Sequence, residues 1–448
     1  MTRLRALAPT DAAPAALVLA CAVPFVFLHP HYQPHLTFGQ VDVDLSDIAI
    51  LAATIAALDD IRRRGGLPLR AGRTIWPPLA AFLALLLVSL AWARYGDHSY
   101  SLGRHLVSAL KFCEYAVLAP VAALALRTRA DRRAFLWAVA LWTSALAIIA
   151  ALQFLGLVNE FQGRRPEQRE PSYIGIHDLG ALAGGALAFL FAALMLPPVR
   201  VRSIVAGVAG ALGVALAAAL DAVGGMIVSA LAIWGLARTR TRVSLRRTAA
   251  LAGVCALVTV AAVTLRSSSI VSFFRFLGVK PNNAATSGHV QTYAQRVLLS
   301  YIGVEIWLHH PILGVGWQES HQPHSFEPYL ASAHRRFHDQ PDYAFPSPAH
   351  EWGVQNGAVQ TLSDLGIVGF LILAATFAAA FRLLVRVLRR GPPDAAREAL
   401  LVTGWLILGL AVFTGTGLLP GLAVDAQLWL GVGLAAALNH SLTGAHAG

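Results

Sequence analysis

Long apolar runs recur along most of the chain and limit what it can fold into. A membrane-spanning helix needs about 17 to 25 mainly apolar residues to cross a hydrocarbon core of about 30 Å. The runs are continuous, which indicates helices and argues against a barrel of alternating strands. Twelve runs lie near residues 12–29, 43–58, 78–94, 104–126, 134–157, 179–197, 202–220, 222–237, 248–265, 364–388, 399–417 and 422–439. The sequence therefore predicts an all-α integral membrane protein with about 12 transmembrane helices, or ten to twelve because the second and eighth runs are short.

The composition agrees with this prediction. Of 448 residues, 56% are hydrophobic and only 13% are charged, which is too apolar for a water-soluble protein of this length. The three cysteines, Cys21, Cys113 and Cys255, all fall in apolar runs, where cysteine behaves as a small hydrophobic residue. Their spacing predicts neither a disulfide framework nor a zinc site.

The positive charge of the chain reports topology. A net charge of +11 would suggest a nucleic-acid partner in a soluble protein, but here the arginines follow alternate helices in short loops, so we expect no nucleic acid. The clusters are Arg62, Arg63, Arg64, Arg70 and Arg73; Arg127, Arg129, Arg132 and Arg133; Arg200 and Arg202; Arg238, Arg240, Arg242, Arg246 and Arg247; and Arg382, Arg386, Arg389, Arg390 and Arg397. Cytoplasmic loops carry such clusters. Both termini are therefore predicted to be cytoplasmic.

The opposite loops are then outside, at residues 30–42, 95–103, 158–178, 266–356 and 416–422. This topology divides the chain into transmembrane helices 1–9 at residues 1–265, one large outside loop with short helices at 266–356, and helices 10–12 at 357–448. The large loop is polar and rich in His and Arg. We expect the chemistry of the protein there.

Cationic residues outside the membrane need a reason to be there, because each one opposes the positive-inside bias. Such residues are Arg164, Arg165 and Arg169 in one loop and Arg266 and Arg296 in the large loop. Guanidinium groups suit bidentate recognition of phosphate or carboxylate. The alternative is a solvated loop in which arginines pair with nearby glutamates.

Seven histidines of the large loop are candidates for proton transfer near neutral pH. They are His309, His310, His321, His324, His334, His338 and His350. No spacing typical of a metal site occurs, so we expect no metal and no cofactor. Structural or solvent-facing roles are expected for His309, His310, His321 and His324. Within the fourth apolar run, Lys111 and Glu114 are spaced to pair on one helix face.

Three segments resemble the O-antigen ligase and polymerase superfamily. The first, QRVLLSYIGVEIWLHHPILGVGW, is similar to its pattern of Arg, aromatic, Pro and Gly-x-Gly residues. The second, QNGAVQTLSDLGIVGF, is similar to its re-entry into the membrane. The third is an Arg-bearing loop that ends in IGIHDLGAL. The matching positions are Arg296, Trp307, Pro311, Gly314 and Gly316 in the first segment, and Asn356, Gln360, Asp364, Gly366 and Gly369 in the second.

The chain departs from the family pattern at two places. Gln355 stands where the family carries its functional histidine, and a second register places His350 there, with His338 as the next alternative. Val223 stands where many relatives have an arginine. The resemblance therefore implies that phosphate binding falls to Arg296, Arg169, Arg266 or Arg164.

The resemblance implies a GT-C-like, metal-independent, inverting glycosyltransferase of the bacterial inner membrane, with its site on a large periplasmic loop between helices 9 and 10. Its implied partners are an undecaprenyl-diphosphate-linked polysaccharide as donor, lipid A-core as acceptor, and membrane lipid. His350 would be the general base. No phosphate-binding glycine loop occurs in the outside loops, which agrees with a lipid-linked donor. A polymerase, a protein-glycosylating ligase and a transporter are the alternatives.

Overall fold

The computed structural model describes residues 11–38, 41–64, 67–158, 173–265, 267, 292–350, 352–418 and 420–444. These residues are almost entirely helical. The helices are α1 Pro14–Val26, α2 Leu45–Arg64, α3 Leu67–Ala71, α4 Trp76–Gly96, α5 Leu102–Ala116, α6 Leu118–Ala125, α7 Arg129–Phe154, α8 Ile176–Met195, α9 Val201–Ala217, α10 Leu220–Arg238, α11 Leu245–Leu265, α12 Thr292–His309, α13 Pro323–Arg336, α14 Gly357–Arg390, α15 Pro393–Thr416 and α16 Ala423–Gly444.

The prediction of an all-α membrane protein is confirmed. Among the described residues, eight helices are long and apolar enough to cross a membrane, with α5 and α6 acting as one of them. They are Trp76–Gly96, Leu102–Ala125, Arg129–Phe154, Ile176–Met195, Leu220–Arg238, Leu245–Leu265, Gly357–Arg390 and Pro393–Thr416. Two of the predicted runs form the shorter apolar helices α1 and α9.

A small β-hairpin interrupts the helices. Strand β1, His35–Phe38, pairs antiparallel with β2, Val41–Asp44, with His35 opposite Asp44. The apolar run at 43–58 had suggested a helix across this boundary, but α2 begins at Leu45, where Asp47 stands in its first turn. Lys111 of α5 forms ion pairs with Asp44, at 3.1 Å, and with Asp47. The hairpin is therefore tied to the bundle by the lysine whose expected partner was Glu114.

Helix α8 lies at the centre of the bundle. It packs against α9, α10 and α15, and 89% of its most apolar window is buried. Small residues permit close approach of membrane helices. A Cβ atom at Gly210 of α9 would lie only 2.5 Å from the carbonyl oxygen of Ala183 in α8. The ends of α8 are therefore fixed relative to three neighbouring helices.

The arginine clusters that follow alternate helices meet at one end of the bundle. Arg127 pairs with Asp60 of α2 at 3.0 Å, and Arg132 of α7 pairs with Glu398 of α15 at 2.7 Å. Arg200 and Arg129 both bind Asp394, at 2.8 Å and 2.5 Å. Arg240 donates to the carbonyl oxygens of Leu388 and Gly391. These five junctions therefore share one side of the helix bundle, as the alternating charge pattern requires.

Candidate functional site

At the opposite end of the bundle, Arg296 of α12 contacts two other parts of the chain. Its Nη2 lies 2.8 Å from Nε2 of His177, and its Nη1 donates to the carbonyl oxygen of Gly415. The other ring nitrogen of His177, Nδ1, lies 2.7 Å from Oδ2 of Asp221. Arg296, His177 and Asp221 thus form a chain of contacts, which we call the relay.

The contacts of the relay favour one tautomer of His177. Arginine has only donors, so a hydrogen bond from Arg296 requires Nε2 of His177 to accept. In that tautomer the ring proton is on Nδ1 and is donated to the Asp221 carboxylate. The imidazole and the Gly415 carbonyl are both acceptors for the guanidinium of Arg296.

Helix ends supply His177, Asp221 and the Gly415 carbonyl that Arg296 contacts. His177 lies in the first turn of α8 and Asp221 in the first turn of α10, where a carboxylate interacts favourably with the helix dipole. Gly415 lies in the last turn of α15. A Cβ atom at Gly415 would lie 2.2 Å from Oδ2 of Asp221, so only glycine permits this approach.

The turn after α15 connects the relay to the start of α14. The amide of Leu418 donates to Oε1 of Gln360 at 2.6 Å. Gly417, at φ +99°, lies so close to this segment that a Cβ there would be 2.9 Å from the Val354 carbonyl and 3.8 Å from Cα of Gln355. Gln355 therefore lies beside the turn that follows Gly415, the residue whose carbonyl Arg296 contacts.

The Gly-x-Gly motif builds the scaffold under this region. Helix α14 is interrupted at Gly366, where φ is 64°. The segment from Pro311 to Gly316 bonds to the interruption through the amides of Val315, Gly316, Ile367 and Val368, over 2.8 to 3.2 Å. A Cβ at Gly314 would lie 2.4 Å from the Asp364 carbonyl carbon, and one at Gly366 would lie 2.2 Å from the Ile312 oxygen. Both glycines are required by close backbone contact.

The polar residues of the second motif are structural in the same way. Asp364 is fully buried and accepts from the amides of Gln318 and Ser320, at 3.1 Å and 3.3 Å. Gln360 donates to Asp364 at 3.3 Å. Asn356 caps α14 by accepting from the amides of Ala358 and Val359. Asp364, Gln360 and Asn356 therefore hold the start of α14 and the segment that carries Gln318 and Ser320 in position.

Of the candidate residues predicted from the sequence, Arg296 is placed in the relay. Arg164, Arg165, Arg169 and Arg266 lie outside the described residues. The structure brings Arg296 to the segment IGIHD, which the resemblance had singled out, and the contact is made by His177. This histidine and Asp221 are the residues that the sequence analysis missed.

The two candidate bases from the sequence are exposed. His350 forms an isolated backbone bridge with Ser347, and its ring centroid lies 5.9 Å from that of Trp352. His338 follows the end of α13. Arg296 contacts His177.

Other histidines of the loop have packing roles. His334 stacks on Phe345 at 3.7 Å between centroids, and His309 lies against Tyr329 at 5.1 Å. His321 packs on Gly353, where a Cβ would lie 2.4 Å from its ring. Burial, with a smaller contribution from His105, lowers the pKa of His321 to about 4, so it is neutral at neutral pH.

A second group of titratable residues lines a cavity of about 350 Å³ between the end of α4 and the start of α13. Asp97, Glu319 and His324 each turn a possible ligand atom toward the others, all within 4.8 Å. Burial raises the pKa of Glu319 to about 8, and the carboxylate of Asp97 adds to the effect. Burial also acts to raise the pKa of Asp97, but hydrogen bonds from Ser99 outweigh it and lower that pKa. The linear spacing of these residues did not indicate the group.

Part of the chain matches a known protein family. No curated protein matches the chain significantly. Residues 218–374 match the family model described as O-Antigen ligase. This range contains Asp221, Arg296 and both glycine motifs of the interrupted helix. Over residues 218–374 the chain is therefore similar to the O-antigen ligase family.

Proposed function

We propose that the protein is a GT-C-like glycosyltransferase that joins an undecaprenyl-diphosphate-linked O-antigen polysaccharide to lipid A-core. It would act at the periplasmic face of a bacterial inner membrane. The family match supports a membrane enzyme that transfers lipid-linked glycans. The observation that carries the proposal for this chain is the arginine relay at one end of the bundle, because it brings a guanidinium, which suits a diphosphate, together with an imidazole that a carboxylate orients.

The proposed reaction is a single displacement. The oxygen of an acceptor hydroxyl attacks the anomeric carbon, and the bond from that carbon to the diphosphate oxygen breaks. Undecaprenyl diphosphate leaves with both electrons of that bond, and the hydroxyl proton passes to a base on the protein. Attack from the face opposite the leaving group inverts the anomeric centre.

Arg296 is proposed to stabilise the departing diphosphate. Charge that develops on the leaving oxygens is stabilised by a donor held in place before the reaction, and such a donor is worth more where water is excluded. Arg296 is partly buried and positioned from two sides. Arg169, Arg266 and Arg164 are proposed as further phosphate ligands. No metal ion is needed in this step.

Three histidines are candidates for the role of general base. His350 is the choice from the family register, with His338 as the alternative. The geometry favours His177, since Asp221 already orients its ring and stabilises the charge that proton uptake would create. When a diphosphate engages Arg296, Nε2 of His177 would become available to an acceptor hydroxyl. We therefore propose His177 as the base and keep His350 as the alternative to be tested.

Interruption of α14 invites comparison with a transporter, whose sites often use broken membrane helices. In this chain the backbone groups at the interruption are bonded to the segment from Pro311 to Gly316. The break is therefore filled by the protein's own loop. Together with the family match, this favours transfer chemistry over transport.

The test of the proposed function is the lipopolysaccharide of cells that lack this protein. We expect loss of the long polysaccharide from lipid A-core, with polymer accumulating on its lipid carrier. Wild-type protein should restore the attachment and Arg296→Ala should not, at equal membrane abundance. Lipid A-core that carries single repeats would identify a polymerase instead, and unchanged lipopolysaccharide with an unglycosylated pilin would identify a protein ligase.

A further inference from the structure

We propose that Asp97, Glu319 and His324 form a binding site for one divalent transition-metal ion, which we call the cavity site. The three residues come from different parts of the chain. Asp97 follows the last residue of α4, Glu319 lies in a short 3-10 helix, and His324 stands in the first turn of α13. Their ligand atoms lie within 4.8 Å of one another, a spacing that allows one ion to contact all three.

Glu319 provides an independent indication of a ligand. Its side chain is only 3% exposed, yet Oε2 has no hydrogen-bond partner among the described residues. The other oxygen, Oε1, accepts from Ser325 Oγ at 3.3 Å and lies 3.7 Å from Nδ1 of His324. A buried carboxylate oxygen without a partner is costly, and a cation in the cavity would satisfy it.

The neighbouring charges agree with a cation. Two carboxylates, Asp97 and Glu319, line one cavity. Arg94 donates to the backbone oxygens of Asp97 and His98, so it does not cover the Asp97 carboxylate in these contacts. The carboxylate of Asp97 accepts hydrogen bonds from the hydroxyl and the amide of Ser99, at 2.6 to 2.7 Å. Hydrogen bonds of this kind commonly orient a carboxylate that binds a metal ion.

The donor set indicates the class of ion. One imidazole nitrogen with two carboxylates suits Zn²⁺ or Mn²⁺ better than Ca²⁺, which prefers oxygen ligands alone. The cavity of about 350 Å³ leaves room for water to complete the coordination. His324 is 61% exposed in its side chain, so the ion can enter from solvent.

The cavity site shares no residue with the relay. An ion bound to all three residues would join the end of α4 to α13 through the segment that carries Glu319. This segment also supports the interruption of α14 through Gln318 and Ser320. We infer that the bound ion stabilises the segment that carries Glu319 and takes no part in the proposed displacement of the diphosphate.

The test uses the full-length protein, purified in detergent without a histidine tag and stripped with chelator. Mn²⁺ binding is measured by loss of the free-ion electron paramagnetic resonance signal, and Zn²⁺ binding by calorimetry. We expect one ion per chain. Glu319→Gln and His324→Ala should each weaken binding by at least about tenfold, since even outer partners of a ligand cost that much.

Controls remove similar groups from the same region. Glu327→Gln alters an exposed carboxylate of α13, and His309→Ala alters an exposed imidazole, so both should bind metal as wild type does. His324 is exposed, and its loss tests the site without disturbing the core. Absence of Mn²⁺ and Zn²⁺ binding at millimolar concentration, or unchanged binding by His324→Ala and Glu319→Gln, would overturn the proposal. Neither result would affect the proposed transfer at Arg296.

Discussion

Arg296 and His177 are 119 residues apart in the chain, and their side chains meet with Nη2 2.8 Å from Nε2. This contact joins α12 to the first turn of α8, a helix that is mostly buried in the bundle. It also places the arginine of one family-like segment beside another such segment. The two segments therefore contribute to one site, and the predictions below depend on that site.

Removal of the His177 imidazole should abolish most transfer. If His177 takes the acceptor proton, His177→Ala should lose roughly 10²- to 10⁴-fold in rate, as for a removed general base. Asp221→Asn should also be strongly impaired, because an amide cannot stabilise the imidazolium that forms. Initial rates with purified protein and lipid-linked donor measure both effects. Near-normal rates for His177→Ala would leave it only a structural role.

The alternative base is tested in the same assay. His350→Ala should retain near-normal transfer if His177 is the base, because His350 is exposed beside Trp352. His309→Ala is the matched control, and it removes an exposed imidazole of the same region. A loss of transfer rate of roughly 10²-fold or more in His350→Ala alone would identify His350, the residue chosen from the family pattern, as the base. Inactive His338→Ala or Gln355→Ala would point to those positions instead.

The helices were the predictable part of the fold, because each apolar run carries its own signal. The interruption of α14 was harder to foresee. Gly366 and Gly314 look like ordinary loop and helix glycines in the sequence, and their strained approach appears only when Pro311–Gly316 packs on the helix. The β-hairpin was likewise concealed by the apolar run that begins beside it.

The relay was missed because its members are distant in sequence. His177 and Asp221 are 44 residues apart, and each lies at the start of an apolar run. A signal existed: the predicted topology puts the start of the 179–197 run and the junction near Asp221 on the same outside face as Arg296. Polar residues at the helix ends on that face could therefore have been predicted to lie near Arg296.

Topology can be read by chemical labelling of introduced cysteines in a cysteine-free background. A cysteine at Ser332, on α13, should react with a membrane-impermeant thiol reagent in intact spheroplasts. A cysteine at Ser244, between α10 and α11 beside the arginine cluster, should react only after the membrane is opened. The reverse pattern would invert the orientation and move the relay to the cytoplasmic side.

Chelation should leave transfer intact at moderate temperature. The diphosphate charge is assigned to arginine, so EDTA should not lower the initial rate, and magnesium or manganese should not raise it. Thermal unfolding of the same sample separates lost folding from lost chemistry, since the cavity site is expected to affect stability alone. Loss of transfer in folded protein, with recovery on adding metal, would rule out the arginine account.

The account is tested most directly by Arg296→Lys in a transfer assay with purified protein, lipid-linked donor and lipid A-core. A lysine keeps the positive charge but lacks the planar fork with which arginine can donate to the Gly415 carbonyl and to a diphosphate at once. We predict a loss of roughly 10²- to 10³-fold, close to that of Arg296→Ala. Arg335→Lys, on the exposed face of α13, should be unaffected. Near-normal transfer by Arg296→Lys would contradict a diphosphate site built on the geometry of this guanidinium.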